Sequence, residues 1–203
     1  MEFWNSLLTE KSWKILQELN KKYSFILIGG WATYLWTKQQ KSKDIDIVVE
    51  LDELQKLKNE NLSKNDRLKK YEIKIEDIDI DIYVAHFSKL ALPVEELKKY
   101  VSKIESFNVI KSEALLILKQ GAEIERAHSV KGEKDRIDIM SLLFFSDFNF
   151  KNYSNILKKY KLEDYIDKLI LLVSRYQDYL SFGLTPREFK LKKKNILEEL
   201  KRI

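Results

Sequence analysis

The sequence predicts an α+β protein, in which strands mixed with helices are followed by a purely helical C-terminal part. The segment 78–84 alternates between isoleucine and aspartate and ends in tyrosine and valine, which is typical of a β-strand. Apolar residues recur at helical spacing over 112–126. Beyond residue 150 only helical patterns remain. We therefore divide the chain into a first part at 1–150 and a helical C-terminal region at 151–203.

Local patterns place the individual elements in chain order. Thr185 can cap a helix that Pro186 begins, since proline suits a first helical turn. Ser112 is expected to cap an earlier helix in the same way. The predicted strands cover 23–28, 45–50, 71–75, 78–84 and 107–110. The predicted helices cover 2–20, 32–37, 51–66, a segment from Val94, 112–126, 134–145, 154–161, 163–180 and 186–203.

Two glycines follow the first apolar strand. Gly29 and Gly30 come directly after the apolar residues 25–28. A residue without a side chain lets the backbone approach a ligand closely. If a helix begins at Trp31, its free N–H groups face that ligand, and such groups attract anions. The segment therefore predicts a turn that binds phosphate.

The next strand carries two aspartates two residues apart. Side chains at i and i+2 of a strand lie on one face, roughly 7 Å apart, so Asp44 and Asp46 point the same way. Two carboxylates on a buried strand are unfavourable unless a cation accompanies them. Mg²⁺ prefers oxygen ligands and leaves positions for phosphate oxygens, so a pair of magnesium ions is the expected partner, with Mn²⁺ as the alternative. Ser42, two residues before Asp44, is a candidate phosphate contact.

A third strand alternates strictly between isoleucine and aspartate. Asp77, Asp79 and Asp81 share one face, where three like charges repel each other without a counter-ion. One interpretation is a solvated edge strand whose charges prevent aggregation. The other, which we favour, adds Asp81 to the metal site because it lies deepest in the apolar run, with Asp79 as second choice. Tyr83, further along, is expected in the core.

Charge is distributed unevenly along the chain. Residues 151–203 carry a net charge of +6, whereas residues 1–150 carry −1. A basic region attracts phosphates, and nucleic acid is one candidate partner. The alternative is that lysine-rich helices are simply solvated faces. The densest cluster consists of Lys190, Lys192, Lys193 and Lys194.

Composition excludes several classes of protein. No run of about 18 apolar residues exists, so no membrane span is expected. The first residues lack the basic and apolar regions of a signal peptide. There is no cysteine, which rules out disulfides and cysteine-bound zinc, and His86 and His128 are isolated. We expect a cytoplasmic protein.

Gly-Gly at 29–30, Asp-x-Asp at 44–46 and a later strand aspartate together resemble the nucleotidyltransferase fold of the DNA polymerase beta superfamily. This resemblance implies a small mixed sheet flanked by helices. Within the superfamily, the residue patterns at 29–32 and 115–143 resemble those of AbiEii-type toxins and minimal nucleotidyltransferases. Such families often have an arginine four residues before the first metal aspartate, where this chain has Gln40.

The resemblance also implies roles for further residues. Lys119 and Arg126 are seven apart on a predicted helix, so they face the same way and are expected to hold a triphosphate. An ordinary surface pair around Glu123 is the alternative. Asp135 or Asp138 is expected to orient one of the two cations.

The expected activity is Mg²⁺-dependent transfer of a nucleotide from a nucleoside triphosphate (NTP) to a hydroxyl acceptor. Asp44, Asp46 and Asp81 are the expected catalytic and metal-binding residues, and Gly29, Gly30 and the two cations hold the nucleotide. The basic tail favours an RNA acceptor such as tRNA, with a protein next and a small hydroxylated molecule third. AbiEii-type systems pair such an enzyme, as a toxin, with an antitoxin protein. An inactive binding or partner module and a plain nucleic-acid-binding protein are the alternatives.

Overall fold

The structure is a computed structural model that describes residues 5–203, and it confirms the α+β prediction. The strands are β1 (Ile26–Ile28), β2 (Ile45–Val49), β3 (Ser63–Asn65), β4 (Lys70–Ile75), β5 (Ile78–Val84), β6 (Val101–Ile104) and β7 (Phe107–Ile110). The helices are α1 (Ser6–Lys22), α2 (Gly29–Thr37), α3 (Leu51–Leu57), α4 (Ser112–Arg126), α5 (Val130–Phe145), α6 (Phe150–Tyr160), α7 (Asp164–Arg175) and α8 (Pro186–Leu200). Short 3₁₀ helices cover Lys58–Glu60, Val94–Tyr100 and Leu180–Phe182.

The strands form one mixed sheet in the order β3-β4-β5-β2-β1-β7-β6. β2 pairs in parallel with β5, and β1 with β7, while the other neighbours are antiparallel. The two central strands are rich in isoleucine, and Ile45, Ile47, Ile80 and Ile82 are fully buried. Because strand side chains alternate between faces, the aspartates of β2 and β5 all lie on the opposite face.

The helical C-terminal part packs directly on the helices of the first part. The Tyr153 hydroxyl of α6 donates to Gln120 of α4 at 2.6 Å. The ring of Phe144 in α5 meets those of Phe182 and Phe189 edge to face, with centroids 5.4 and 5.5 Å apart. The expected boundary near residue 150 coincides with the start of α6, but the hydrophobic core continues across it.

Several element boundaries differ from the sequence prediction. β3 and β6 were missed because they are short edge strands without apolar alternation. Ser112 does not cap α4; it is the first helical residue, and Lys111 precedes it without a side-chain cap. The segment between the helices expected at 112–126 and 134–145 is partly helical, since Ser129 accepts from the Gly132 N–H and α5 begins at Val130, four residues earlier than expected. Of the helix expected over 2–20, residues 2–4 lie outside the described part.

No helix within residues 5–203 combines the length and the apolar character that crossing a membrane requires.

Candidate active site

A pocket of about 430 Å³ opens on the polar face of β2 and β5. The start of α2 forms one wall, and α4 and α5 form another. Asp44, Asp46 and Asp81 all line it, together with Lys119 and Arg126. The pocket thus brings together residues that the sequence predicted for the site. They come from five elements, namely α2, β2, β5, α4 and α5.

The parallel pairing of β2 and β5 sets the arrangement of the carboxylates. Asp46 is the register partner of Asp81, and Asp44 immediately precedes β2 on the same face. Asp79 lies elsewhere: its side chain is 54% exposed, its nearest cation is Lys74 at 3.9 Å, and it does not line the pocket. Of the two aspartates considered for a third carboxylate, Asp81 is therefore the one beside Asp46.

The environment disfavours ionisation of two of these carboxyl groups. Burial, followed by the nearby charge of Asp81, raises the pKa of Asp46 to about 6. Burial also raises the pKa of Asp81, although the charges of Lys70 and Lys131 oppose the rise. A cation placed between these groups would remove the unfavourable energy of holding them ionised.

Two lysines now supply part of that positive charge. The Lys70 ammonium of β4 lies 2.7 Å from Asp81 and 3.0 Å from Glu72. The Lys131 ammonium of α5 lies 3.3 Å from one oxygen of Asp44. Neither lysine was predicted from the sequence, because the contact of Lys70 depends on the register of the β4–β5 pair and that of Lys131 joins residues 87 positions apart.

The donor set fits a hard cation such as Mg²⁺. The second oxygen of Asp44, Oδ1, is buried and has no hydrogen-bond partner, so it is available to a ligand. Asp46 adds a carboxylate on the same face. Within residues 5–203, however, no three acidic, histidine or cysteine side chains are arranged to hold a metal as they stand. Asp81 would have to give up its contact with Lys70 to join them.

The first turn of α2 faces the carboxylates. This helix begins at Gly29, three residues before the predicted start at 32, and its N-cap, Ile28, makes no side-chain capping bond. Gly29 has a φ of +66°, and a Cβ there would overlap the Asp46 carboxylate. A Cβ on Gly30 would overlap the Ser42 hydroxyl. The two glycines are therefore required by close approach, and the uncapped N–H groups of the helix remain available for an anion.

The loop before Asp44 is held by hydrogen bonds. The Ser42 hydroxyl donates to the Asp44 carbonyl oxygen at 3.0 Å, so its proton is already used within the loop. The buried Gln40 side-chain amide donates to the carbonyl of Ser181 at 3.3 Å. Gln40, which stands where the resembled families often have an arginine, ties this loop to the C-terminal part.

Cations and aspartates of α4 and α5 form a buried network on the facing wall. Asp135 contacts both Lys119, at 3.2 Å, and Arg126, at 2.7 Å. Asp138 contacts Lys119 at 2.7 Å and also pairs with Lys134. Three cations thus share two carboxylates, which leaves one net positive charge on the wall that faces Asp46.

The balance of burial and charge differs among the members of this network. Burial disfavours a charged Lys119, but Asp138 and Asp135 outweigh it and raise its pKa. Burial of Asp138 is likewise outweighed by Lys119 and Lys134, so its pKa lies below the usual value. For Lys134 burial wins, and its pKa is lowered. Lys119 is therefore firmly cationic beside the acidic cluster.

Tyr83 packs against the hydrophobic core, as expected, and it also lines the pocket. It follows Asp81 by two residues, so strand alternation alone could have placed it on the carboxylate face. Burial, with the charge of Asp46 next in importance, raises its pKa well above the usual value and keeps the hydroxyl protonated. His86 and His128 are exposed and do not line the pocket.

Two of the four clustered tail lysines have structural partners. Lys192 donates to the carbonyl of Phe144 at 2.9 Å, near the end of α5. Lys193 donates to the carbonyls of Ser174 and Tyr176, at the end of α7. These contacts satisfy carbonyl groups that a helix end leaves without partners.

A groove beside α7 and α8 contains the other two lysines of this cluster, Lys190 and Lys194. It is lined by Lys190, Lys194 and Lys201, which are exposed, together with Tyr176 and Phe189. This groove therefore displays part of the basic character of the tail.

Comparison with known proteins identifies no family for this chain. No model of a protein family matches the chain, and a sequence search finds no match among curated proteins. A candidate nucleotidyltransferase from H. pylori is similar in structure, with 19% identity, a TM-score of 0.49, and coverage of 97% of this chain and 96% of that one. JHP933 from Helicobacter pylori has 20% identity, a TM-score of 0.47, and coverage of 97% and 93%.

An antigenic nucleotidyltransferase-like protein from Paracoccidioides brasiliensis covers less of the chain. It has 16% identity and a TM-score of 0.38, over 67% of this chain and 75% of its own. At these identities and scores, none of the three similarities carries an argument about function. The functional argument for this chain therefore rests on the residues of its own pocket.

Proposed function

We propose that the chain transfers a nucleotide from an NTP to a hydroxyl acceptor with the aid of Mg²⁺. The observation that carries the proposal is the pairing of Asp46 with Asp81 in register, beside Asp44, in a pocket that also holds Lys119 and Arg126. Acidic groups on one wall and cationic groups on the other suit a ligand made of metal ions and phosphates.

Each side chain has a distinct task in this proposal. Asp44 and Asp46 hold the metal, and Lys119 and Arg126 bind the triphosphate. When bound, Mg²⁺ supplies charge stabilisation at the attacking and leaving oxygens. The acceptor oxygen bonds to the α-phosphorus, the bond to pyrophosphate breaks, and pyrophosphate leaves. Asp81, whose pKa is raised by burial, attracts the proton of the acceptor hydroxyl.

The acceptor is proposed from charge alone. Residues 151–203 carry a net charge of +6, and the groove of Lys190, Lys194 and Lys201 displays part of it. A phosphate-rich acceptor fits such a surface, so we propose RNA, with tRNA as the first class to test. A protein acceptor is the second proposal.

The resemblance to AbiEii-type proteins further suggests a toxin that is countered by an antitoxin protein. Induced expression of the wild-type chain should then arrest growth, whereas Asp44→Asn with Asp46→Asn should not. Equal growth of the two strains contradicts the toxin role and leaves the proposed chemistry unaffected.

An inactive partner module is the second candidate, and a specific observation favours it. Lys131 and Lys70 already pair with Asp44 and Asp81, so two of the three pocket carboxylates have a counter-ion without a metal. Such a module would bind nucleotide or partner without chemistry.

One experiment distinguishes the two functions. The pure protein is incubated with each labelled NTP, Mg²⁺ and either total RNA or lysate, and the labelled product is identified. The Asp44→Asn and Asp46→Asn double variant serves as the control. Label that enters RNA or protein only with the wild type supports transfer, whereas nucleotide binding without any labelled product supports the inactive module.

A further inference from the structure

We propose that Lys131 is a movable counter-ion: its ammonium occupies a cation position at Asp44, a divalent metal displaces it, and it then contacts the nucleotide phosphates. The inference rests on the proposed function for its second half, the phosphate contact. Its first half, the displacement by metal, concerns the free protein only.

The position of Lys131 is not explained by helix stability. It lies in the first turn of α5, directly after Val130. The N-terminus of a helix carries partial positive charge, so a lysine there is unfavourable for the helix. Its partner is not in its own helix but is Asp44, 87 residues away, at 3.3 Å. The contact with Asp44 across the pocket therefore accounts for the position of Lys131.

The contact also leaves room for a stronger ligand. Lys131 approaches Oδ2 of Asp44, whereas the buried Oδ1 of the same carboxylate has no partner. The ammonium thus contacts one of the two carboxylate oxygens, whereas a metal ion could be bound by both. Since Mg²⁺ carries twice the charge, it should replace the ammonium when it binds.

Lys131 and Lys70 differ in their freedom to move. The Lys131 side chain is 59% exposed, and Asp44 is its only ion-pair partner among the described residues. The Lys70 side chain is 13% exposed and contacts two carboxylates from its place in β4. Lys131 can therefore swing away into the pocket, while Lys70 is expected to stay with Asp81.

The destination of the displaced ammonium follows from its neighbours. Lys131 precedes Lys134 and Asp135 on the same helix, and both of these also line the pocket. The cationic wall of Lys119 and Arg126 faces the same space. Once released from Asp44, the Lys131 ammonium would therefore meet, within the pocket, the phosphates that these cations are proposed to bind.

The test compares Lys131→Met with Lys38→Met. Lys38 is a matched control, because it is 53% exposed and pairs with Glu105 at 2.7 Å outside the pocket. Binding of Mn²⁺ alone is followed by the loss of the paramagnetic signal of free ions. Binding of a non-hydrolysable NTP analogue with Mn²⁺ is followed by calorimetry, and thermal unfolding verifies the fold.

The two halves predict shifts of opposite sign. Lys131→Met should bind Mn²⁺ alone roughly threefold to tenfold more tightly, because a competing charge is gone. The same variant should bind the NTP analogue roughly threefold to tenfold less tightly, because a phosphate contact is lost. Lys38→Met should match the wild type in both assays.

Unchanged or weaker Mn²⁺ binding by Lys131→Met overturns the counter-ion role. Tighter Mn²⁺ binding with unchanged affinity for the analogue overturns the phosphate contact. If no variant and no wild-type protein binds any NTP analogue, the proposed function fails, while the Mn²⁺ result still decides the first half.

Discussion

Asp46 and Asp81 lie directly opposite each other on two parallel strands, with both side chains on the face that lines the pocket. Neighbouring strands are about 4.8 Å apart, so the two carboxylates are held close by the backbone itself. Like charges directly opposite each other are unfavourable without a counter-ion. The sheet thus stores an electrostatic strain that a bound cation would relieve, and the predictions below follow from this arrangement and its surroundings.

Removing one of the paired charges should stabilise the metal-free protein. The folded-state pKa of Asp46, about 6, exceeds its ordinary value of 3.8. The contribution of Asp46 to the free energy of unfolding is therefore fully present below the ordinary pKa of this carboxyl group. That contribution is lost as the pH rises through about 6. We expect Asp46→Asn to raise the free energy of unfolding by about 1–3 kcal/mol near neutral pH, and by little in acid.

Denaturant unfolding in the presence of a chelator measures this effect. Asp79→Asn is the control, because Asp79 shares the face but is exposed and should leave stability unchanged. Equal stability of Asp46→Asn and wild type near neutral pH would contradict the proposed repulsion.

Metal binding should depend on Asp44 and Asp46 together. We expect calorimetry to detect weak Mg²⁺ or Mn²⁺ binding that nucleotide strengthens, since phosphate oxygens complete the coordination. Asp44→Asn with Asp46→Asn should abolish it. Persistence of the binding in the double variant means that the metal lies elsewhere.

Nucleotide affinity should depend on the cations of α4. Arg126→Gln should weaken NTP binding by about 1–3 kcal/mol, the usual scale for hydrogen bonds to charged groups. Lys119→Met should do the same and also reduce stability, because it leaves the buried Asp135 and Asp138 with less positive charge. Nucleotide titrations and thermal unfolding separate the two effects. Stability losses without any change in affinity would make the network purely structural.

RNA binding should depend on the exposed lysines of the groove and not on Lys192 and Lys193, whose ammonium groups are bound to backbone carbonyls. Neutralising Lys190, Lys194 and Lys201 should weaken RNA binding and flatten its salt dependence, since fewer counter-ions are released. Neutralising Lys192 and Lys193 should instead lower the melting temperature, because they hold helix-end carbonyls. If the first set leaves RNA affinity and its salt slope unchanged, the groove is a solvated surface.

Gly29 should tolerate alanine less well than Gly183 does. Both have a φ near +65°, so both pay the backbone cost of about 1 kcal/mol for a Cβ. Only Gly29 also places that Cβ against Asp46, whereas Gly183 has open space around it. Gly29→Ala should therefore lose more stability in denaturant unfolding. Equal losses for the two variants would show that the Asp46 side chain moves aside freely.

Much of the site could be predicted from local patterns. Strand alternation fixes which face of its strand an aspartate occupies, so Asp44 and Asp46 could be assigned to one face of the second strand, and Asp79 and Asp81 to one face of a later strand. The seven-residue spacing of Lys119 and Arg126 likewise follows from helical geometry. These relationships depend on residues that are close in sequence.

What was missed depends on contacts between distant elements. Neither strand alone shows which strand pairs with β2 or in which register. The position of Asp46 opposite Asp81 could therefore not be derived from the sequence. Lys70 and Lys131 look like ordinary surface lysines until the fold carries them to the carboxylates. Tail lysines 192 and 193 counted toward a binding patch, yet the packing of α8 assigns them to helix ends.

The attachment of α8 to the end of α5 has an evolutionary consequence. Phe182 and Phe189 enclose Phe144, and Lys192 binds its carbonyl, so the tail completes the same helix that supplies Asp135. A tail fastened in this way cannot be exchanged for another module without rebuilding α5. We expect relatives with new acceptors to differ by substitutions on the outer face of α8, and not by recombination at its boundary.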